Sequence, residues 1–209
     1  MNSFSPNMLK TFETCQKKYY FKYVQNISVP QPVSFFEKGK NIHALANYYL
    51  KGADISKLLP ALSPEEKQIW QKLLENEFFQ KTYVNSEYNL SAKINDFWVG
   101  GRLDALMKDG DNYFILDYKT GSIPKNPEYD YQTMVYLICA DRVLKNYNSL
   151  KFIYIDLKNN KNYVIDFDSE KKVQYIEYLT KICDKISQTL EFDLSSEKCK
   201  FCEYAKFCY

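Results

Sequence analysis

The stretch "WVGGRLDALMKDGDNYFILDYK", residues 98 to 119, constrains the fold of this chain more than any other. Two runs of aliphatic, aromatic and β-branched residues flank "KDGDN", whose turn chemistry joins them as a β-hairpin. With the turn at Gly110-Asp111, Asp109 pairs with Asn112, and continuing the ladder sets Asp104 across from Asp117. A turn at Asp109-Gly110 instead pairs Asp104 with Ile115 and leaves Asp117 diagonally adjacent. Side chains alternate along a strand, so Ile115, Asp117 and Lys119 share one face while Phe114, Leu116 and Tyr118 share the other. An unpaired charge in so apolar a segment is costly, and two carboxylates this close repel unless something neutralises them. Opposed Cβ atoms lie about 4.5–5.5 Å apart, a separation a divalent cation can bridge. A structural network of Asp104, Asp117, Arg102 and Lys119 is the other reading.

Upstream, the apolar period is helical. Ser5-Pro6 opens a first helix, with Met8, Leu9, Phe12, Cys15, Tyr19 and Tyr23 at helical spacing, which places Cys15 on that helix. A second helix is predicted from Lys40 to Leu50, with Ile42, Leu45, Ala46 and Tyr49 on its stripe and His43 beside it. "SPEE", residues 63 to 66, is a capping box that opens a third. In "EYNLSAKI", residues 87 to 94, Tyr88, Leu90, Ala92 and Ile94 alternate with Glu87, Asn89, Ser91 and Lys93, the pattern of a half-buried strand. After the hairpin come an apolar helix from Pro127 to about Tyr147, strands at "LKFIYIDL" and "NYVIDF", and an amphipathic helix after Asp168. The order predicts an α/β fold with a mixed sheet.

At 209 residues, 45% of them hydrophobic, the chain is long enough for one sizeable core. A single domain is expected: a mainly helical part over 1–82, a sheet core over 83–166, and a closing helix with a Cys-rich tail over 167–209. With 28 basic and 26 acidic residues the net charge is only +2, so any phosphate-binding surface is local rather than global. The nineteen Tyr and fourteen Phe are chiefly packing residues, with base stacking the sharper role for a few. His43 is the only histidine, which excludes two-histidine zinc motifs such as HExxH. No phosphate loop is present, so the chain is no helicase motor by itself. The first residues lack a secretory pattern and no run is long enough to span a bilayer, so a cytoplasmic location is expected.

Taken together, "GRLDAL" with Asp104 and "LDYKTG" with Asp117 and Lys119 resemble the PD-(D/E)XK nuclease superfamily. The resemblance is to its RecB-like branch, which also contains the AddB subunit and the CRISPR-associated adaptation nucleases. "KGKNIH", with Gly39, Asn41, Ile42 and His43, is similar to the branch's G-x-x-H element, although the glycine here stands four residues before the histidine. "YQTMVY" is similar to its Q-x-x-x-Y element, with Gln132 and Tyr136 on one helical face. The opening "SFSPNMLKTFETCQKKYYFKYV" resembles its N-terminal helix, so the likeness spans most of the chain.

The resemblance implies a restriction-endonuclease-like core and hydrolysis of DNA phosphodiesters without a covalent enzyme intermediate. It implies that His43, Asp104, Asp117 and the backbone carbonyl of Tyr118 ligate Mg²⁺ or Mn²⁺, a hard site with one imidazole. Lys119 would orient the attacking water, and Gln132 and Tyr136 would hold the strand or support the site. Glu87 is a candidate support, matching an acidic residue on the branch's first core strand. The expected enzyme is an exonuclease on single strands or duplex ends. Its expected partners are DNA and a helicase or recombination protein, with no membrane, and an oligomer is open. A non-cleaving DNA-binding iron-sulfur module or scaffold subunit of a repair complex is the alternative; the complete Asp104, Asp117 and Lys119 set argues against it.

Of the six cysteines, Cys139 and Cys183 fall on apolar helical stripes and read as core thiols. Cys199, Cys202 and Cys208 form C-x2-C-x5-C. With Cys15 they resemble the iron-sulfur staple of the same branch, which implies a [4Fe-4S] cluster tying the two ends of the chain together. Zinc on the same four thiolates, a disulfide, or unliganded thiols remain alternatives.

Overall fold

The computed structural model describes residues 3–30, 37–194, 199 and 202–208. Strands β1 (Ser3–Phe4), β2 (Thr82–Ile94), β3 (Phe97–Asp109), β4 (Asn112–Lys119), β5 (Ser149–Asp156) and β6 (Lys161–Phe167) form a mixed sheet, ordered β1-β3-β4-β5-β6 with β2 also paired to β3. Asp109 pairs with Asn112, so the hairpin turns at Gly110-Asp111, where Gly110 takes a left-handed φ of 58°. β4 and β5 run parallel, which requires a crossover, and α5 (Tyr131–Val143) supplies it.

Alternation along β4 sorts the core into two layers. Ile115, with Phe152 and Tyr154 of β5, packs on one side against α5, α1 (Pro6–Thr14) and α6 (Ser169–Gln188). Phe114, Leu116 and Tyr118 pack on the other against α3 (Glu37–Leu50) and α4 (Pro64–Leu74). Being covered on both faces is why β4 reads as an almost continuous apolar run. The capping box at Ser63 forms as expected. Its Glu66 also accepts a hydrogen bond from Asn41 Nδ2 at 2.8 Å, which ties α3 to α4.

Three elements differ from the sequence expectation. The first helix does not run through to Tyr23: Cys15 is extended (φ −164°, ψ 111°), and a new helix α2 (Gln16–Tyr19) starts after it and widens into a π-turn over Tyr20–Val24. The Cys15 sulfur accepts from Lys18 N at 3.4 Å, so this cysteine caps a helix rather than sitting within one. Helix α5 is shorter than Pro127 to Tyr147, because Asp130 caps it by accepting from Gln132 N. β1 is too short to carry a sequence pattern. Cys139 and Cys183 are buried, as expected, and burial pushes both thiols up to about 12. No helix among the described residues is long and apolar enough to cross a membrane.

Candidate active site

The β3–β4 ladder stops one step before the two aspartates. Its last pair is Ala105 with Leu116, and beyond it Tyr118 N donates to Asp104 Oδ2 at 3.0 Å instead of to the opposing main chain. A carboxylate thus replaces a backbone carbonyl in the gap where β3 leaves β4. On the N-terminal side of this split, β3 leans on α5. The Tyr136 hydroxyl donates to the Arg102 carbonyl at 2.8 Å, and Gly101 is the reason it can: a Cβ there would lie 2.9 Å from Tyr136 Cε1. Gly101→Ala is therefore expected to destabilise the fold by about 1–3 kcal/mol, the usual cost of overpacking a buried contact. Chemical denaturation checks the value; an unchanged midpoint would mean that the split does not depend on this approach.

Two sides of the sheet converge on Asp104. From α3, His43 places Nδ1 at 3.2 Å from Asp104 Oδ1 and donates from Nε2 to the Tyr118 carbonyl at 2.9 Å. Gly39, one turn earlier, lets α3 approach β4: a Cβ would stand 3.3 Å from Thr120 Oγ1. From β4, Asp117 is 2% exposed, with Lys119 Nζ 2.7 Å from its Oδ2 and Gln132 Nε2 donating to its Oδ1. Lys119 also donates to Gln132 Oε1 at 3.1 Å and lies 5.6 Å from the centre of the buried Tyr154 ring. Gln132 therefore bridges the acid and the base, a contact that its place in the sequence motif did not reveal.

The electrostatics follow from this crowding. Burial, and then the charge of Asp104, raise the Asp117 carboxyl to about 7 against the pull of Lys119. Burial alone would lower the His43 imidazole, but the hydrogen bond and charge of Asp104, helped by Asp117 and the Tyr118 carbonyl, raise it to about 9. Both shifts have the same sign of consequence. A raised histidine gives stability that is full below its unfolded value of about 6.5 and is lost as pH rises through about 9. A raised carboxyl destabilises progressively from its unfolded value near 3.8 up to about 7. In EDTA, the melting temperature is expected to fall between pH 6 and pH 9, and His43→Gln should flatten the upper part of that fall; a flat native profile would contradict the clustering.

Glu87, a candidate support on the polar side of its strand's alternation, does not point freely into solvent. It stands instead with its carboxylate on Arg102 Nε at 2.8 Å, and its ligand oxygen, that of Asp104 and a His43 ring nitrogen all lie within 4.8 Å of one another. The three could hold one metal ion. A left-handed φ of 49° at Glu87 brings the carboxylate there, a conformation that a side chain of this kind rarely adopts. Local strain of this type marks sites where function outweighs stability. Glu87→Asn, a residue that tolerates the left-handed region, is expected to raise stability by about 1 kcal/mol and to weaken divalent-cation binding. Thermal melts with and without Mn²⁺ check both halves.

The imidazole of His43 and the carboxylates of Asp104 and Glu87 fit a hard divalent cation; Asp117, expected as a ligand, is not one of this close group and is held by Lys119 and Gln132. The Tyr118 carbonyl, expected as a ligand, is engaged by His43 Nε2. Residues 3–209 match the family model of the PD-(D/E)XK nuclease superfamily, and the chain belongs to that family of divalent-metal nucleases. Its fold is restriction-endonuclease-like, as expected. The chain resembles the crystal structure of a "Putative exonuclease" from Eubacterium rectale over 100% of its own length and 88% of that chain, with 11% identity and a TM-score of 0.62. A second solved structure, of SSO0001, aligns over 99% of this chain and 85% of that one, with 15% identity and a TM-score of 0.45. No curated protein matches the chain.

The C-terminal stretch packs against the N-terminal part of the chain. The stretch 202–208 docks on the α2 segment: Lys18 Nζ pairs with Glu203 at 2.9 Å, Tyr204 OH donates to the Ile27 carbonyl at 2.8 Å, and Phe21 stacks with Tyr204. Burial, followed by the nearness of Cys202, Cys15 and Cys199, raises the Cys208 thiol. Cys15, Cys199 and Cys202 thus lie near enough to Cys208 to bear on its charge, although no three of these sulfurs come within 4.8 Å of one another.

Proposed function

We propose that this chain is a Mg²⁺- or Mn²⁺-dependent deoxyribonuclease of the RecB-like branch, an exonuclease that attacks single-stranded DNA or duplex ends. The observation that carries the reading is the split at Asp104, where one carboxylate meets His43 from one face of the sheet and lies beside the buried Asp117–Lys119 pair of the other. The structural likeness to a protein described as an exonuclease agrees with it.

In this reading His43, Asp104 and Asp117 hold the cation, with Glu87 completing the set once Arg102 releases it. A bound divalent cation acidifies water and offsets charge on the reacting phosphate. Lys119, steered by Asp117, Gln132 and the Tyr154 ring, orients that water and stabilises charge as it develops. Tyr136 acts at a distance, by fixing β3 through the Arg102 carbonyl. The four cysteines hold a [4Fe-4S] cluster in a structural role; their grouping and the docking of the tail support this. End-labelled single- and double-stranded DNA incubated with Mn²⁺ or with EDTA tests the activity. Short products from one end, formed only with metal, are expected; metal-independent products, or none from reconstituted protein, would contradict it.

A further inference from the structure

A groove of about 610 Å³ runs beside the proposed metal ligands, between α3 and the strands that carry Glu87 and Arg102. Its volume falls within the range of small-ligand sites. Along α3 it is lined by Lys40, His43, Ala44, Asn47 and Tyr48, residues that recur at helical spacing on one face. The two consecutive tyrosines at the end of this helix are treated differently. Tyr49 packs its ring against Trp70 at 5.5 Å and Phe79 at 6.0 Å, which anchors the helix. Tyr48 lines the groove, is 49% exposed, and has no ring partner or hydrogen bond among the described residues.

The helix that presents Tyr48 is also held at its neighbour. Ser86 Oγ donates to Asn47 Oδ1 at 2.7 Å, and Ser86 is next to Glu87, so the position of Tyr48 relative to the metal ligands is set by a direct tie. Two cations share the groove. Lys40 is exposed, and Arg102, with a side chain 64% exposed, uses only Nε on Glu87 and leaves its outer N–H groups toward solvent. An acidic pair at the base, cations beside it and a free aromatic face at the rim match the parts of one nucleotide: phosphate on metal and Arg102, base on the ring. Stacking of this kind needs an unpaired base, because a paired base in a duplex already has both faces covered.

We infer that Tyr48 is a base-stacking platform, and that the groove between α3 and Arg102 binds an unpaired nucleotide of single-stranded DNA next to the scissile phosphate. The inference rests on the proposed nuclease reading for the identity of the phosphate, but its readout does not need cleavage. A single-stranded oligodeoxynucleotide carrying 2-aminopurine, titrated in EDTA, should show quenching of the base on binding. Tyr48→Ala should remove the quenching and weaken binding by roughly five- to a hundredfold, the range that one base–aromatic stack is worth, while Tyr48→Trp restores both. Circular dichroism should show both variants folded, since the ring is exposed. The same oligonucleotide with an abasic site in place of the stacked base should bind native protein and Tyr48→Ala alike.

Equal quenching and affinity for native protein and Tyr48→Ala would overturn the inference even if the native protein cleaves DNA with Mn²⁺. Quenching that depends on Tyr48 in a protein that never cleaves would uphold it and overturn the nuclease reading instead.

Discussion

Asp117→Asn is expected to reduce metal-dependent DNA cleavage by at least about a thousandfold, the scale on which removal of one preorganised charge acts in a dry site. The metal-free protein should nevertheless keep its stability to within about 1 kcal/mol, because two effects oppose each other. The native carboxylate is buried beside Asp104, and losing its charge relieves both burial and repulsion. Against that, Lys119 loses its counter-ion, although it retains Gln132 Oε1 and the Tyr154 ring. The asparagine side chain preserves shape and one acceptor for Gln132. Melts in EDTA should therefore nearly coincide, whereas the upward shift that Mn²⁺ gives the native protein, as any ligand selective for the folded state does, should largely vanish. Cleavage by the variant at the native rate would remove Asp117 from the chemistry.

The second large effect is expected from the cysteines. Anaerobically purified protein should be brown, and Cys202→Ser should be colourless and less stable. A cluster joining Cys15 to Cys208 constrains nearly the whole unfolded chain. By analogy with a cross-link closing a loop of more than a hundred residues, that is worth roughly 4–5 kcal/mol. For a chain of this size the melting temperature should fall by about 10 °C or more. Without the cross-link, the tail is held by the Lys18–Glu203 pair, the Tyr204 hydrogen bond and a few aromatic contacts. The Mn²⁺-dependent shift should survive in Cys202→Ser, since the acidic site draws on none of these residues. A colourless native sample with stoichiometric zinc would replace the cluster by a zinc site.

The elements with a strong period were readable from sequence because burial imposes it. β4 is apolar throughout since helices cover both faces, and the Gly110-Asp111 turn was one of only two that the hairpin's residues allowed. What could not be read was geometry created by exceptions to the period. Glu87 alternates correctly with Tyr88 and Leu90, yet its left-handed backbone turns it toward Asp104. Cys15 keeps helical spacing with Phe12 and Tyr19, yet the helix breaks there, since nothing in the spacing shows a sulfur taking the capping role. The double contact of Gln132 with Asp117 and Lys119 depends on how α5 crosses the sheet. The motif gave its residues but not its partners.

Gly101 shows the same limit. Its neighbour Gly100 would set a Cβ 2.5 Å from the Leu90 carbonyl, and Gly101 would meet Tyr136, so the pair serves two different approaches on β3. A sequence shows two adjacent glycines; only the packing shows that one admits β2 and the other α5.

On the proposed reading, one divalent cation balances the carboxylates gathered where β3 parts from β4, and a crystal soaked in Mn²⁺ would reveal it. Anomalous density bounded by His43, Asp104 and Asp117, with Arg102 drawn off Glu87, is the expected result. Density absent from that gap in a fully soaked crystal, with Lys119 still seated on Asp117 and Arg102 on Glu87, would show that the protein neutralises these acids by itself.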